Sequence, residues 1–285
     1  MRAEAFVPGH ISCVFRPVRT DDVLTTGSLG FGIRTSLGCR AKASLREDDG
    51  IHITINGEET EAPVTRFAVE YMKTGRGFDI ILDHDLPLEQ GFGASASGTF
   101  AATLCVADLV GMDRKSAVEA SHVAECSQGG GLGDLIAIAS GFGVPIRDSP
   151  GADGKTSDSG LSFDKLTLIV FNEPLKTESV LSNGEKMKEI VEAGDSAVSE
   201  FAKDRTIPGL FRFSNTFSEA IGLESDEIKA AISTIKTKGN QAGMCMLGNS
   251  IYTDLPASEA RELFPSAKVF ETSSFSGPIE VIRKG

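Results

Sequence analysis

The chain has 285 residues, of which 40% are hydrophobic and 24% charged, and at ~150 residues per domain this length predicts roughly two globular domains. Its net charge of −12 argues against a general nucleic-acid or anionic-membrane surface, because such a field repels phosphate backbones, although a local pocket can still hold a small phosphorylated ligand. The five cysteines form no Cys-x-x-Cys pair, the N-terminus has no apolar leader and no stretch approaches the ~18 apolar residues of a membrane span, so a cytoplasmic protein with free thiols is expected.

In chain order, residues 31–45 predict a long strand. Ile51-His52-Ile53-Thr54-Ile55 alternates between turn signals at Asp49-Gly50 and Asn56-Gly57, which predicts a second strand. A short helix is expected around Val64 to Lys73 and a strand over Phe78 to His84. After Pro87 comes the turn Gly91-Phe92-Gly93-Ala94-Ser95-Ala96-Ser97-Gly98, then an alanine-rich helix to about Val110. A further helix is predicted over 114–127 with Asp113 as its cap, followed by Gly129-Gly130-Gly131-Leu132-Gly133-Asp134, a short helix and a strand over 142–147.

Residues 148–160 are polar and rich in breakers, so they predict an exposed loop with a domain boundary at its end, giving units of 1–160 and 161–285. Beyond it, a strand over 165–171, amphipathic helices to about Lys236, and strands near 244–252, 267–271 and 278–283 are expected. Strands and helices without strict alternation indicate an α+β class.

Two stretches could bind phosphate. Gly151-Ala152-Asp153-Gly154-Lys155-Thr156 lacks the spacing, the preceding strand and the following helix of a P-loop. Gly91-x-Gly93-x-x-Ala96 fits a relaxed dinucleotide fingerprint, but a polar segment precedes it and a second helix follows, so no βαβ unit forms. Read instead as a turn opening a long helix, 91–98 offers close backbone approach, unpaired N–H groups and the hydroxyls of Ser95 and Ser97.

Pro87-x-x-x-Gly91-Phe92-Gly93-Ala94-Ser95-Ala96-Ser97 resembles the central motif of the GHMP kinases, which wraps the ATP phosphates, and Val7-Pro8-Gly9-His10-Ile11-Ser12 resembles their first motif. Within that group the resemblance is to archaeal pantoate kinases, through Pro8-Gly9-His10, Gly27-Ser28-Leu29-Gly30-Phe31-Gly32, and His122-x-x-Glu125 followed by Gly131-Leu132-Gly133-Asp134. His10 stands where the first motif usually carries lysine, so no lysine role is carried over. The third motif, at 241–249, has two glycines where the family has a glycine-rich run.

The resemblance implies a two-domain GHMP kinase fold, with the ATP-phosphate loop in a β-rich N-terminal domain and an α+β C-terminal domain. It implies phosphorylation of the 4-hydroxyl of pantoate by ATP with Mg²⁺, on a route to coenzyme A. Pro87, Gly91, Gly93, Ala94, Ser95, Ala96 and Ser97 would hold ATP, Ser95 and Glu125 the magnesium, and Asp134 would be the base. A substrate carboxylate calls for cations or amide donors, which nominates Arg147 as a bidentate grip, with His122 and Ser28 beside it. Other GHMP substrates (homoserine, shikimate, mevalonate), a non-catalytic metabolite sensor, and a homodimer all stay open at this stage.

Overall fold

The computed structural model describes residues 1–171 and 184–284, so the part of the expected C-terminal helical region that falls on 172–183 lies outside the described residues. Among the described residues there are eight helices and twelve strands in two sheets, an α+β arrangement. All five cysteines are free, and no described helix is long and apolar enough to cross a membrane.

The first sheet is built on two long antiparallel strands, β1 (Arg2–Val18) and β2 (Gly27–Leu45). Their register is broken by irregularities between Pro8 and Gly9 and between Ser12 and Val14. A proline that cannot donate to the ladder is tolerated at such a break, and the extra residue re-aims the side chains beyond it. The effect is a change of core along one strand. Before the break Ala3, Ala5 and Val7 pack into one hydrophobic cluster; after it Ile11, Cys13, Val14 and Phe15 pack into another. β2 makes the same exchange in reverse, from Phe31 and Ile33 to Cys39, Ala41 and Ala43. The segment 8–12 therefore lies at the junction of the two cores.

β3 (Ile51–Ile55) and β5 (Phe78–His84) extend this sheet, β4 (Glu58–Glu59) edges it, and α1 (Pro63–Tyr71) connects β4 to β5. Against its inner face lies α2 (Ala94–Val110), whose burial from Ala96 to Ala107 on every side makes it a core helix. α3 (Arg114–Ser127) packs on α2, started by Asp113, whose side chain accepts from the Ser116 N–H as predicted. α4 (Asp134–Ala139) leads to β6 (Pro145–Arg147).

The structure corrects the sequence reading at 148–160. This stretch is not wholly an exposed loop: Thr156–Asp158 forms β7, paired with β6, and Gly151 and Ser159 are buried. The false P-loop glycines belong to that hairpin's turn. The 17-residue β1, interrupted in sequence by Pro8-Gly9, was not separable as one strand from its pattern.

The second sheet has the antiparallel order β11-β8-β10-β9, from β8 (Leu166–Val170), β9 (Ala242–Met244), β10 (Ser250–Thr253) and β11 (Lys268–Thr272). Helices α5 (Gly184–Lys203), α6 (Ile207–Ile221), α7 (Asp226–Thr237) and α8 (Ala257–Leu263) accompany it. The final strand β12 (Val281–Lys284) returns to the first sheet and pairs with β1.

Candidate active site

A cleft opens where the two cores meet. It is lined by the 91–96 turn, the 129–134 run, Ser12 and Ser28, with Phe15, Met246 and Leu247 on an apolar side.

The turn owes its shape to two glycines in the left-handed region, Gly91 at φ +79° and Gly93 at φ +59°. Gly93 is the N-cap of α2 and no side chain caps that helix, so the N–H groups of its first turn face the cleft uncapped. The turn is held from both sides. His10 N–H donates to Phe92 O at 2.9 Å, from the break in β1. From the other side, Ser250 Oγ donates to Gln90 O at 2.6 Å and the Asn249 N–H to Gln90 Oε1 at 3.1 Å. A Cβ on Gly248 would overlap the Gln90 carbonyl. The two glycines of the divergent third motif thus include the one that close packing on the turn requires.

Ser95, in the first turn of α2, donates to Glu125 Oε1 at 2.6 Å, and the Gly131 N–H donates to Glu125 Oε2 at 2.7 Å. Glu125 is 2% exposed. Burial pushes its carboxyl up to about 7, with the nearby Asp134 charge adding to the rise and the Gly131 and Ser95 donors opposing it.

Asp134 begins α4 on the opposite side of Gly131. A Cβ built on Gly131 would stand 2.6 Å from Asp134 Oδ2 and 3.6 Å from Glu125 Oε2, so the missing side chain leaves the space between the two carboxylates open. Oδ1 is engaged by His10 Nδ1 at 2.6 Å and by the Ser12 hydroxyl at 3.2 Å. Burial would raise the Asp134 carboxyl, but the His10 and Ser12 hydrogen bonds and the Arg147 charge outweigh it and hold it below the usual carboxylate range. Asp134 is therefore ionised at neutral pH, and Oδ2 is its free oxygen among the described residues.

Gly91, Gly93, Ala94, Ser95, Ala96, Ser28, Glu125 and Asp134 all line the cleft. Pro87 and Ser97 do not: Ser97 is buried and its hydroxyl bonds back to Ala94 O at 3.1 Å. His122 points elsewhere as well, with Nε2 donating to Val23 O at 3.1 Å, which ties α3 to the 20–26 loop. Arg147 differs most from expectation. It is 1% exposed, donates from Nη1 to Ser12 Oγ at 3.2 Å and from Nη2 to Val14 O at 2.9 Å, and keeps only Nε unpartnered, beneath Gly133. Its fork is spent on β1, so no bidentate grip on a ligand is available in this geometry. No lysine or arginine lines the cleft among the described residues.

His10 and Ser12 were not assigned roles from sequence. A signal was present, since positions two apart on a strand share a face.

Residues 63–142 match the GHMP kinases N terminal domain. The pantoate kinase of Thermococcus kodakarensis is 31% identical over 277 residues, covering 92% of each chain. The chain belongs to the pantoate kinase family. A second member of that family, from Methanocaldococcus jannaschii, is 29% identical over 251 residues, 87% of this chain and 90% of its own. A solved structure described as a phosphotransferase related to the CoA biosynthesis pathway superposes with a TM-score of 0.90 at 27% identity, covering 99% of both chains. This pantoate kinase family member thus has the GHMP kinase fold over its whole described length.

Proposed function

We propose that this protein transfers the γ-phosphoryl group of ATP to the 4-hydroxyl of pantoate, with Mg²⁺, yielding 4-phosphopantoate for coenzyme A synthesis. The observation that carries the reading is the pair of carboxylates facing each other across Gly131, one tied to the uncapped N-terminus of α2 and the other with a free oxygen. Family membership supports the acceptor.

The residues fit the groups they would hold. The uncapped first turn of α2 suits phosphate oxygens, through oriented N–H groups and the positive end of the helix dipole. No cluster of three or more His, Cys, Asp or Glu that could hold a metal occurs among the described residues. A Glu125 carboxylate with the Ser95 hydroxyl matches magnesium's habit of binding through one or two carboxylates and substrate phosphates. Bound there, the metal would neutralise charge on the transferring phosphoryl group.

On this reading, pantoate lies between the 91–96 turn and Asp134. Its hydroxyl oxygen attacks the γ-phosphorus, the bond to the ADP oxygen breaks, and the hydroxyl proton passes to Asp134 Oδ2. The Ser28 hydroxyl and the amides of Leu132 and Gly133 would receive the substrate carboxylate, with Arg147 beneath them supplying positive potential. The apolar wall of Phe15, Met246 and Leu247 suits the gem-dimethyl carbon of pantoate.

The test is ATP consumption with pantoate, homoserine, shikimate and mevalonate offered separately. Pantoate should be turned over with the highest kcat/KM. Faster turnover of another acceptor would overturn the pantoate reading, and nucleotide binding without any turnover would make the protein a sensor.

A further inference from the structure

His10 and Ser12 both hydrogen-bond Asp134, and neither sequence motif nor family assigns them a role; of the two, His10 makes the shorter contact. It is completely buried in the middle of β1. Its backbone N–H supports the phosphate turn through Phe92 O at 2.9 Å, while its Nδ1 meets Asp134 Oδ1 at 2.6 Å. Nε2, on the far side of the ring, is buried with no hydrogen-bond partner. The ring fits only because position 32 on β2, paired with Ser12, is glycine, where a Cβ would overlap Nε2.

These facts fix the form of the ring. A carboxylate beside Nδ1 requires a proton on that nitrogen. A second proton on Nε2 would be a buried donor with nothing to receive it, in a site that also faces Arg147 and, across the β1–β2 ladder, Arg34. Burial disfavours the imidazolium first, and both arginine charges disfavour it further, against the pull of Asp134. A buried acceptor left unpaired at Nε2 is a cost that needs a compensating purpose.

We propose that His10 is the positioning residue of Asp134: a neutral imidazole, protonated at Nδ1, that clamps Oδ1 and so turns Oδ2 toward the acceptor hydroxyl. This rests on the assignment of Asp134 as the base. A terminal carboxylate torsion is soft, and the 3.2 Å bond from Ser12 holds the same oxygen, so these two donors together select one of two rotational choices. A neutral donor does this while leaving the full negative charge on Asp134. The carboxylate therefore stays oriented and ionised.

Two measurements test the proposal. In protein labelled with ¹³C and ¹⁵N at its four histidines, with the His10 signals assigned by their loss in His10→Asn, the ring should be neutral and protonated at Nδ1 from pH 6 to 8. An imidazolium or an Nε2–H ring there would overturn the proposal. In steady-state kinetics, His10→Leu fills the space without a donor and should lose about 10²-fold in kcat, with KM for ATP within a few-fold, because the base is misplaced by a fraction of its working distance. His10→Asn keeps an N–H near the Nδ1 position and should recover most of that loss. Equal kcat in the two variants, both folded by thermal melting, would also overturn it. If His10→Leu does not fold, the ring's protonation in the wild-type protein still decides. If the wild type proves not to turn over pantoate, the kinase reading fails while the histidine spectrum is read independently.

Discussion

Ser95 Oγ and Glu125 Oε1, thirty positions apart, lie 2.6 Å apart and tie the first turn of α2 to the last turn of α3. The hydroxyl stands at the mouth of the 91–96 turn, and the carboxylate it touches is the most buried acid of the cleft.

Ser95→Ala should leave the fold intact, because only a hydroxyl at the surface of the cleft is removed. The expected result is a 10–100-fold loss in kcat/KM, the usual effect of losing a group that orients a metal ligand, together with a higher Mg²⁺ concentration for half-maximal rate. A magnesium titration of the rate checks this. An unchanged titration and turnover would take Ser95 out of the site.

Glu125 makes metal-free stability depend on pH. Its ordinary value is 4.5 and in the folded protein it is about 7, so between these values the folded state holds the proton that the unfolded chain has lost. Stability from this group is present at pH 4.5 and below, and is lost as pH rises to about 7, by at most about 3 kcal/mol. Urea unfolding at pH 5 and pH 8 without metal should show wild type losing more stability than Glu125→Gln. Identical losses would mean that Glu125 is not protonated in the folded protein.

Asp134→Asn keeps the shape and removes the charge. If Oδ2 takes the hydroxyl proton, kcat should fall by about 10²–10⁴-fold while ATP and pantoate still bind with near-normal affinity. Single-turnover rates and equilibrium binding separate these quantities. A folded variant that binds both substrates and keeps more than about a tenth of wild-type kcat would show that positioning and electrostatics suffice without a base.

Gly248→Ala tests the third motif. The added methyl would press on the Gln90 backbone, whose carbonyl accepts from the Ser250 hydroxyl at 2.6 Å while its side-chain Oε1 accepts from the Asn249 N–H at 3.1 Å. Overpacking against backbone should cost about 1–3 kcal/mol in stability and displace the 91–96 turn proposed to hold the phosphates. KM for ATP should rise more than KM for pantoate. An unchanged KM for ATP would disconnect this segment from the phosphate turn.

Much of the cleft could be read from the sequence because its parts are local. The turn at 91–98, the helix it opens, the Asp113 cap and the glycine run before Asp134 are each specified within a few residues, by conformational freedom, capping and periodicity. Pantoate kinase family membership was legible for the same reason, through short motifs. Arg147 and His122 were nominated as substrate ligands from residue type and position alone. An arginine near a carboxylate-binding site suggests a grip. Here the packing of β6 on β2 brings its guanidinium against Ser12 and the Val14 carbonyl of β1, and the donors are used there.

From the sequence alone the α+β class and the glycine turn at 91–98 could be read, since backbone preference and motif spacing act over short separations, and Glu125 and Asp134 were singled out through the family resemblance. Only the tertiary structure decided which atoms face the reaction. His10 and Asp134 are 124 residues apart, and their 2.6 Å contact exists because β1 breaks its register at the junction of two cores and Gly32 leaves room for the ring. A hydrogen bond needs its donor and acceptor aligned to within a few tenths of an ångström. Alignment of that kind is set by how the sheets and helices pack, and no local pattern encodes it.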